Sequence, residues 1–347
     1  MVFGQDCVDE VLCVRTEMRD DGVDFYVENL HTDDLIVIFD VEADNMTASV
    51  ALPHAAVYPG HRRTFAFRLR RLNARGRVHY TYRIQWRQAG HALGCEGVLF
   101  CVVAEERTEG IDVFVENKQP FDLTIQIDMT PTNAVADVAF PFTTTYPAGR
   151  RTRAFGLKLM DMLREIRYAY SYRWTPGNLM ARHDDTVAYA LPYAPGKAYA
   201  VIQGFDGPFS HQGKQAIDWD MPERTPVHAA RGGLVIDVED HYTEGGLADR
   251  LRARANRILI QHDDGTIGSY AHLAPNGAFV RAGQRIAQGQ VLGVSGNTGY
   301  SSGPHLHFEV FTVTKGLEHH TVPIRFRVAG NRVVVLEEGT SYAAPVR

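Results

Sequence analysis

Two histidines separated by a single residue, His305 and His307 in the run Gly303-Pro304-His305-Leu306-His307-Phe308-Glu309, are the starting point for any chemistry in this chain. On an extended strand, residues i and i+2 point to the same face, so the two imidazoles project side by side. One can then bind a metal while the other handles a proton. Three segments add to the pair: Ser210-His211-Gln212-Gly213-Lys214-Gln215-Ala216-Ile217-Asp218-Trp219, then Ser269-Tyr270-Ala271-His272-Leu273, then Gly299-Tyr300-Ser301-Ser302 leading into the pair itself. Together they supply four imidazoles and one carboxylate in a glycine-rich setting. That inventory fits a catalytic zinc, which in hydrolases takes three nitrogen or oxygen ligands and leaves the fourth tetrahedral position to water. Water bound in this way has a pKa of about 7 and yields hydroxide at neutral pH.

The elements that must position these groups read as short strands. Around them, runs such as Arg257-Ile258-Leu259-Ile260 alternate with glycine turns. Two six-residue units, Arg281 to Ile286 and Ala287 to Leu292, read as a local Gly-Gln hairpin echo. Upstream, the cysteines expose a duplication: Cys7 and Cys13 recur as Cys95 and Cys101, each 88 positions later. The same offset carries Gly22-Val23-Asp24-Phe25-Tyr26-Val27-Glu28-Asn29 onto Gly110-Ile111-Asp112-Val113-Phe114-Val115-Glu116-Asn117, and Tyr58-Pro59 onto Tyr146-Pro147. Near the end, Tyr80-Thr81-Tyr82-Arg83 matches Tyr170-Ser171-Tyr172-Arg173 at an offset of 90, which implies a two-residue insertion.

Within each copy, Phe65, Phe67 and Leu69, or Phe155, Leu157 and Leu159, alternate with other residues as strands do, and Leu157 to Glu165 has room for a short helix. About 90 residues of short strands with regular turn signals suggest a small immunoglobulin-like β-sandwich. The expected architecture is all-β: residues 1–90 and 91–180 as two tandem copies of one module, residues 181–197 as a Pro- and Gly-rich linker, and residues 198–347 as a β-rich catalytic domain. The shared Gly-to-Asn segments read as a repeated turn and strand rather than a binding site. Trp86 and Trp174, near the ends of the copies, read as core rather than sugar platforms.

Composition narrows the class further. At 347 residues the chain has room for two or three domains. Its 45% hydrophobic and 22% charged residues are ordinary for a globular protein, and its formal net charge of −5 gives no electrostatic reason to expect nucleic acid. No window approaches the ~18 apolar residues of a membrane span. The opening Met-Val-Phe-Gly-Gln-Asp lacks the basic-then-apolar design of a secretory signal. The four cysteines do not show zinc-ribbon spacing, and residues six apart on an extended strand lie roughly 20 Å apart, beyond disulfide reach. Without a turn inside each segment, or pairing between segments, buried free thiols are the expected state.

Residues 198 to 325 resemble the M23 family of zinc metallopeptidases, the LytM and lysostaphin type that cut bacterial cell-wall peptides. The resemblance rests on the segments above together with Thr225-Pro226-Val227, Ala229-Ala230, Gly233, Gly289-Gln290 and Ser295-Gly296-Asn297-Thr298-Gly299. It implies that His211, Asp218 and His307 hold a zinc ion and that His272 and His305 are the proton-handling pair, with His305 favoured as base. The family's usual first motif is His-x-x-x-Asp; here Gln215 stands at that place and the carboxylate is seven residues on, as in longer forms with Ala-Ile/Leu-Asp-Phe. Asp220 is the fallback ligand. The resemblance also implies a peptidoglycan substrate and an extracytoplasmic setting. The alternative is a catalytically silent M23-like domain that binds or activates other wall enzymes. His262 reads as structural, and His319 and His320 as exposed. His228 and His241 carry no spacing argument.

Overall fold

The computed structural model describes residues 3–8, 10–73, 76, 78–89, 91–164 and 166–346. Among them there is no α-helix; the elements are β-strands and two 3-10 turns, at Asp249–Leu251 and Ala329–Asn331. The all-β expectation therefore holds. The chain divides into two compact units, one of Met1–Lys118, Ile127–Phe142 and Arg150–Ser171, the other of Gln119–Gln126, Thr143–Gly149 and Tyr172–Arg347.

The first copy is a two-sheet sandwich. Phe3–Val8, Leu12–Arg19, Gly22–Asn29, Arg62–Arg71 and Met46–Ala48 lie side by side in that order, and His54–Tyr58, Leu35–Asp44 and His79–Gln88 form the second sheet. Period-two alternation turns Val23, Phe25 and Val27 of one sheet, and Leu35, Val37 and Phe39 of the other, into a shared core where all six are fully buried. There Phe25 stacks on Phe67 at 4.6 Å and meets Phe39 edge-on. Trp86 packs against the same core.

The second copy repeats the strand order: His91–Glu96, Phe100–Arg107, Gly110–Asn117, Arg151–Leu159 and Ala134–Ala136 in one sheet, then Phe142–Tyr146, Leu123–Thr132 and Arg167–Pro176 in another. Phe25 opposes Phe67 as Val113 opposes Phe155, both displaced by 88. The final strands, His79–Gln88 and Arg167–Pro176, keep the same 88 and align Trp86 with Trp174. The expected two-residue slip is therefore corrected. Tyr80 and Tyr82 alternate in one strand and Tyr168, Tyr170 and Tyr172 in the other, so a shift by two matches almost as well by sequence alone. The expected helix after Leu157 is also absent: Leu157 to Leu159 end the strand Arg151–Leu159, and turn residues follow, with Glu165 outside the described residues.

The free-thiol expectation is overturned. Cys7 pairs with Cys13 and Cys95 with Cys101 in disulfides, and no free cysteine remains among the described residues. The chain turns back between each pair, so Cys7 lies directly opposite Cys13 in an antiparallel ladder, as Cys95 does Cys101.

Packing explains the repeated Gly-x-Asp. A Cβ at Gly22 would lie 2.0 Å from the carbonyl oxygen of Leu69, and one at Gly110 would lie 2.0 Å from that of Leu157. Two residues on, Asp24 and Asp112 are buried. Arg19 Nε and Arg68 Nη2 both donate to Asp24 Oδ2 at 2.8 Å, with Arg68 directly opposite in the register. In the second copy Gly156 occupies that opposite position, and Asp112 is held by Arg107 and, at 2.9 Å, by Arg153 Nε. Arg153 is the counterpart of Phe65.

The C-terminal region is built on one antiparallel sheet. Its strands run Arg285–Ile286, Gly233–Glu239, Arg257–Gln261, Ile267–Ala271, Leu306–Val313, Ala216–Trp219, Ala198–Gln203 and Ser341–Ala343, with His319–Thr321 also pairing Leu306–Val313. Pro226–His228, Val291–Ser295 and Leu273–Ala278 form a smaller sheet. Alternation sends Leu306, Phe308 and Val310 into the core with Ile217, Trp219 and Tyr270. The segment expected as a linker contributes to this core: Ala188–Ala190 pairs in parallel with Arg325–Val328, and Tyr189, Leu191 and Tyr193 are buried within it.

The Gly-Gln echo is a repeated turn, not a hairpin. Gly283 and Gly289 adopt left-handed φ of 83° and 82°, and the following Gln284 and Gln290 each fold back onto the amide three residues earlier. The strands that follow these turns pair in different sheets.

If Gly110 is fixed by backbone approach, Gly110→Ala should destabilise the first unit by about 1–3 kcal/mol. A lowered urea midpoint would register this, and an unchanged midpoint would refute it.

Candidate metal centre

Strand register brings the site together. His307, on the central strand, lies directly opposite Asp218 on one side and Ala271 on the other. Because Leu306 and Phe308 point into the core, His307 points to the opposite face, and Ile217 and Trp219 leave Asp218 facing the same way. Asp218 is 5% exposed; its Oδ1 lies 2.8 Å from His307 Nδ1 and its Oδ2 lies 3.2 Å from His211 Nε2. His211 arrives from a loop, is 1% exposed, and donates its Nδ1–H to Gly204 O at 2.9 Å. Its Nε2 is buried with no hydrogen-bond partner.

His211, Asp218 and His307 are the one group of potential metal ligands among the described residues, each offering an atom within 4.8 Å of the others'. Behind them, His307 Nε2 lies 3.5 Å from Glu309 Oε2. Burial disfavours an imidazolium at His307, yet hydrogen bonds to Asp218 and Glu309 outweigh it and raise the group to about 10. Burial likewise opposes the Asp218 carboxylate, but His211 and His307 hold its pKa well below the usual range. A buried spot that gathers positive charge, with an orphaned imidazole nitrogen aimed at a carboxylate, fits a small cation bound by nitrogen and oxygen.

The other two histidines stand beside this group. His272 follows the strand Ile267–Ala271 in a left-handed conformation, φ 61°, and its Nδ1–H donates to Thr298 O at 2.6 Å. Its ring lies 4.4 Å from that of His305 and 6.0 Å from that of His307. Burial, followed by the neighbouring charges at His305 and His307, pushes His272 down to about 3. His305 bridges to Gly296, and its Nδ1 contacts Gly303 O at 2.8 Å and Ser301 Oγ at 3.1 Å. With Nδ1–H given to a carbonyl in each ring, Nε2 is left as the nitrogen able to accept a proton.

Asp218, His272, His305 and His307 line one cleft of about 460 Å³, walled by Phe209 and Tyr300. Asp220 lies on the wall of this cleft, exposed and outside the three-ligand group. The structure thus gathers His211, Asp218, His307, His272 and His305 in one place. His262 is fully buried, its Nδ1 3.0 Å from Thr266 Oγ1, and His319 and His320 are exposed.

Two residues at the site carry no sequence reading above. Glu309 continues the alternation of His305 and His307, which is a signal of a kind. Gln203 ends the preceding strand, is 6% exposed, and lies directly opposite Asp218 only because these two strands become neighbours in the sheet.

Two histidines and one carboxylate gathered on one face of a β-sheet form a donor set that fits a metal ion. Residues 212–319 match peptidase family M23. Peptidoglycan DD-endopeptidase ShyA of Vibrio cholerae is 37% identical over 93 residues, 27% of this chain and 19% of that protein. Glycyl-glycine endopeptidase ALE-1 of Staphylococcus capitis is 35% identical over 97 residues, 28% of this chain and 24% of that protein. The catalytic domain of the antimicrobial peptidase lysostaphin from Staphylococcus simulans shares 26% identity with a TM-score of 0.27, covering 37% of this chain and 87% of that one. The chain spans about a fifth of the length of the curated relatives it matches.

Burial lowers His262 to about 3, so between that value and its ordinary range near 6.5 the unfolded chain binds a proton that the folded chain excludes. Stability should therefore fall as pH drops from 6.5 towards 4.5, by up to about 1.4 kcal/mol per pH unit from this group. Chemical unfolding of chelator-treated His262→Gln should show a shallower slope than wild type. Equal slopes would contradict the burial argument.

Proposed function

We propose that the C-terminal domain is a zinc-dependent endopeptidase that hydrolyses peptide bonds of bacterial cell-wall peptidoglycan. The observation that carries this reading is the convergence of the His211, Asp218 and His307 ligand atoms beside two further imidazoles in one cleft. His211 Nε2, the Asp218 carboxylate and His307 Nδ1 would hold the ion. Bound there, zinc would polarise a water and the scissile carbonyl.

The remaining steps belong to the chain's own groups. His305 or His272 accepts the water's proton at Nε2, and the resulting N–H then donates to the developing oxyanion or to the leaving amine. His305 is the favoured base, because the residue two places along its strand is itself a ligand. Buried Nδ1 contacts keep both rings oriented without a change of tautomer.

The substrate class is supported by the names of the relatives and by the small-residue wall of Ser301, Ser302 and Gly303, where a peptide backbone approaches closely. Two disulfides in the first unit favour an oxidising, extracytoplasmic setting. We further propose that residues 1–90 and 91–180 are two copies of one module and that residues 198–347 carry the peptidase, with 181–197 leading into it and packing Tyr189, Leu191 and Tyr193 into its core.

His307→Ala should abolish stoichiometric zinc and peptidoglycan hydrolysis together. His305→Ala should keep the zinc while kcat falls about 10²–10⁴-fold. Zinc content by atomic absorption and turbidity clearance of purified cell walls, with and without chelator, read both. Turnover in His307→Ala with full zinc would refute the ligand assignment, and zinc bound by wild type without any turnover would favour the silent binding module.

A further inference from the structure

Two of the three candidate ligands reach the centre by different routes. Asp218 is fixed by the sheet, whereas His211 hangs on the loop that leaves the strand Ala198–Gln203. Six residues separate them, too many for one turn to hold both. A single side chain spans the gap. Gln203 is buried, and its Nε2 donates to Asp218 Oδ2 at 3.0 Å and to Ser210 Oγ at 2.8 Å. Its Oε1 accepts from the backbone N–H of Phe209 and of Ser210, both at 2.9 Å. The carboxamide therefore has its donor half on the ligand carboxylate and its acceptor half on the two residues preceding His211. The next backbone carbonyl, Gly204 O, receives the His211 Nδ1–H, which leaves Nε2 to face Asp218.

We propose that Gln203 is the positioning residue of the metal centre: it fixes the distance between Asp218 and the His211 loop and, by donating to Oδ2, sets the rotamer of the ligand carboxylate. An ionised carboxylate or an aliphatic side chain at this place cannot make both kinds of contact, whereas the amide carries a donor and an acceptor on one planar group. Outer partners of this kind typically govern metal affinity by 10–100-fold. The inference rests on the metal-binding reading above, and its test separates the two.

Zinc affinity of the full chain is measured at neutral pH by competition with a chromophoric chelator, alongside the visible absorption spectrum of the Co²⁺-loaded protein. Gln203→Met keeps the volume and loses all four hydrogen bonds. It should bind zinc about 10–100-fold more weakly than wild type and should alter the Co²⁺ ligand-field bands. Gln203→Glu keeps the acceptor for the Phe209 and Ser210 amides but has no donor for Asp218. It should fold, as read by circular dichroism, and should still show altered Co²⁺ bands, which keeps the inference open to refutation if Gln203→Met does not fold. A purely structural glutamine would lower the unfolding temperature while leaving affinity and spectrum unchanged. Zinc affinity within twofold of wild type together with an unchanged Co²⁺ spectrum in the folded variants would overturn the proposal. Wild type that binds no zinc would overturn the metal reading beneath it, and this inference with it.

Discussion

A buried carboxylate placed between two imidazoles, Asp218 between His211 and His307, is the constraint around which the C-terminal domain is arranged. A lone ionised group in such a place is costly, and it is tolerated only when its oxygens are fully engaged. Here one oxygen faces His307 while the other faces His211 and Gln203. The sheet secures this through register. Because side chains alternate faces, a slip of one residue between Ala216–Trp219 and Leu306–Val313 would turn one strand over relative to the other, driving either Asp218 or His307 into the hydrophobic core and bringing Trp219 or Phe308 out of it. The bulky core residues therefore specify the site as firmly as the polar ones do. Tyr270 and Phe308, 4.7 Å apart, hold the third strand in place, and His272 leaves its end.

Much of the site could be read from the sequence because its members lie in short runs of distinctive residues. The alternation in His305-Leu306-His307 and in Ile217-Asp218-Trp219 already separates a polar face from an apolar one, and the structure places those faces as the alternation requires. Asp218 and Asp220 share the parity of the site face, but only Asp218 lies inside the strand, opposite His307. Gln203 could not be read, since its partnership with Asp218 depends on which strands become neighbours, and nothing in Val201-Ile202-Gln203-Gly204 announces that.

The N-terminal copies were legible as a repeat and as strands, and less so in detail. The cysteine pairs were misjudged because an extended segment and a hairpin of equal length put their ends at very different separations, and the turn residues between them are not strong signals. A terminal strand with tyrosine at every second position can be displaced by two without visible penalty. The strand bounds, His79–Gln88 and Arg167–Pro176, resolve that ambiguity. The extended stretch around Leu157 shows tertiary context deciding a locally ambiguous segment: pairing with Gly110–Asn117 claims it as a strand.

The different arginines around Asp24 and Asp112 bear on how such a repeat drifts. Both copies neutralise the same acid with two guanidiniums, but one of them comes from Arg68 in the first and from the position equivalent to Phe65, Arg153, in the second, where glycine has taken Arg68's place. Aligned column by column, this looks like one unrelated loss and one unrelated gain. Physically it is a single compensated exchange, so the tolerance of either site to mutation depends on what occupies the other. Lineages of this module should accordingly show epistasis between the two positions rather than invariance at either.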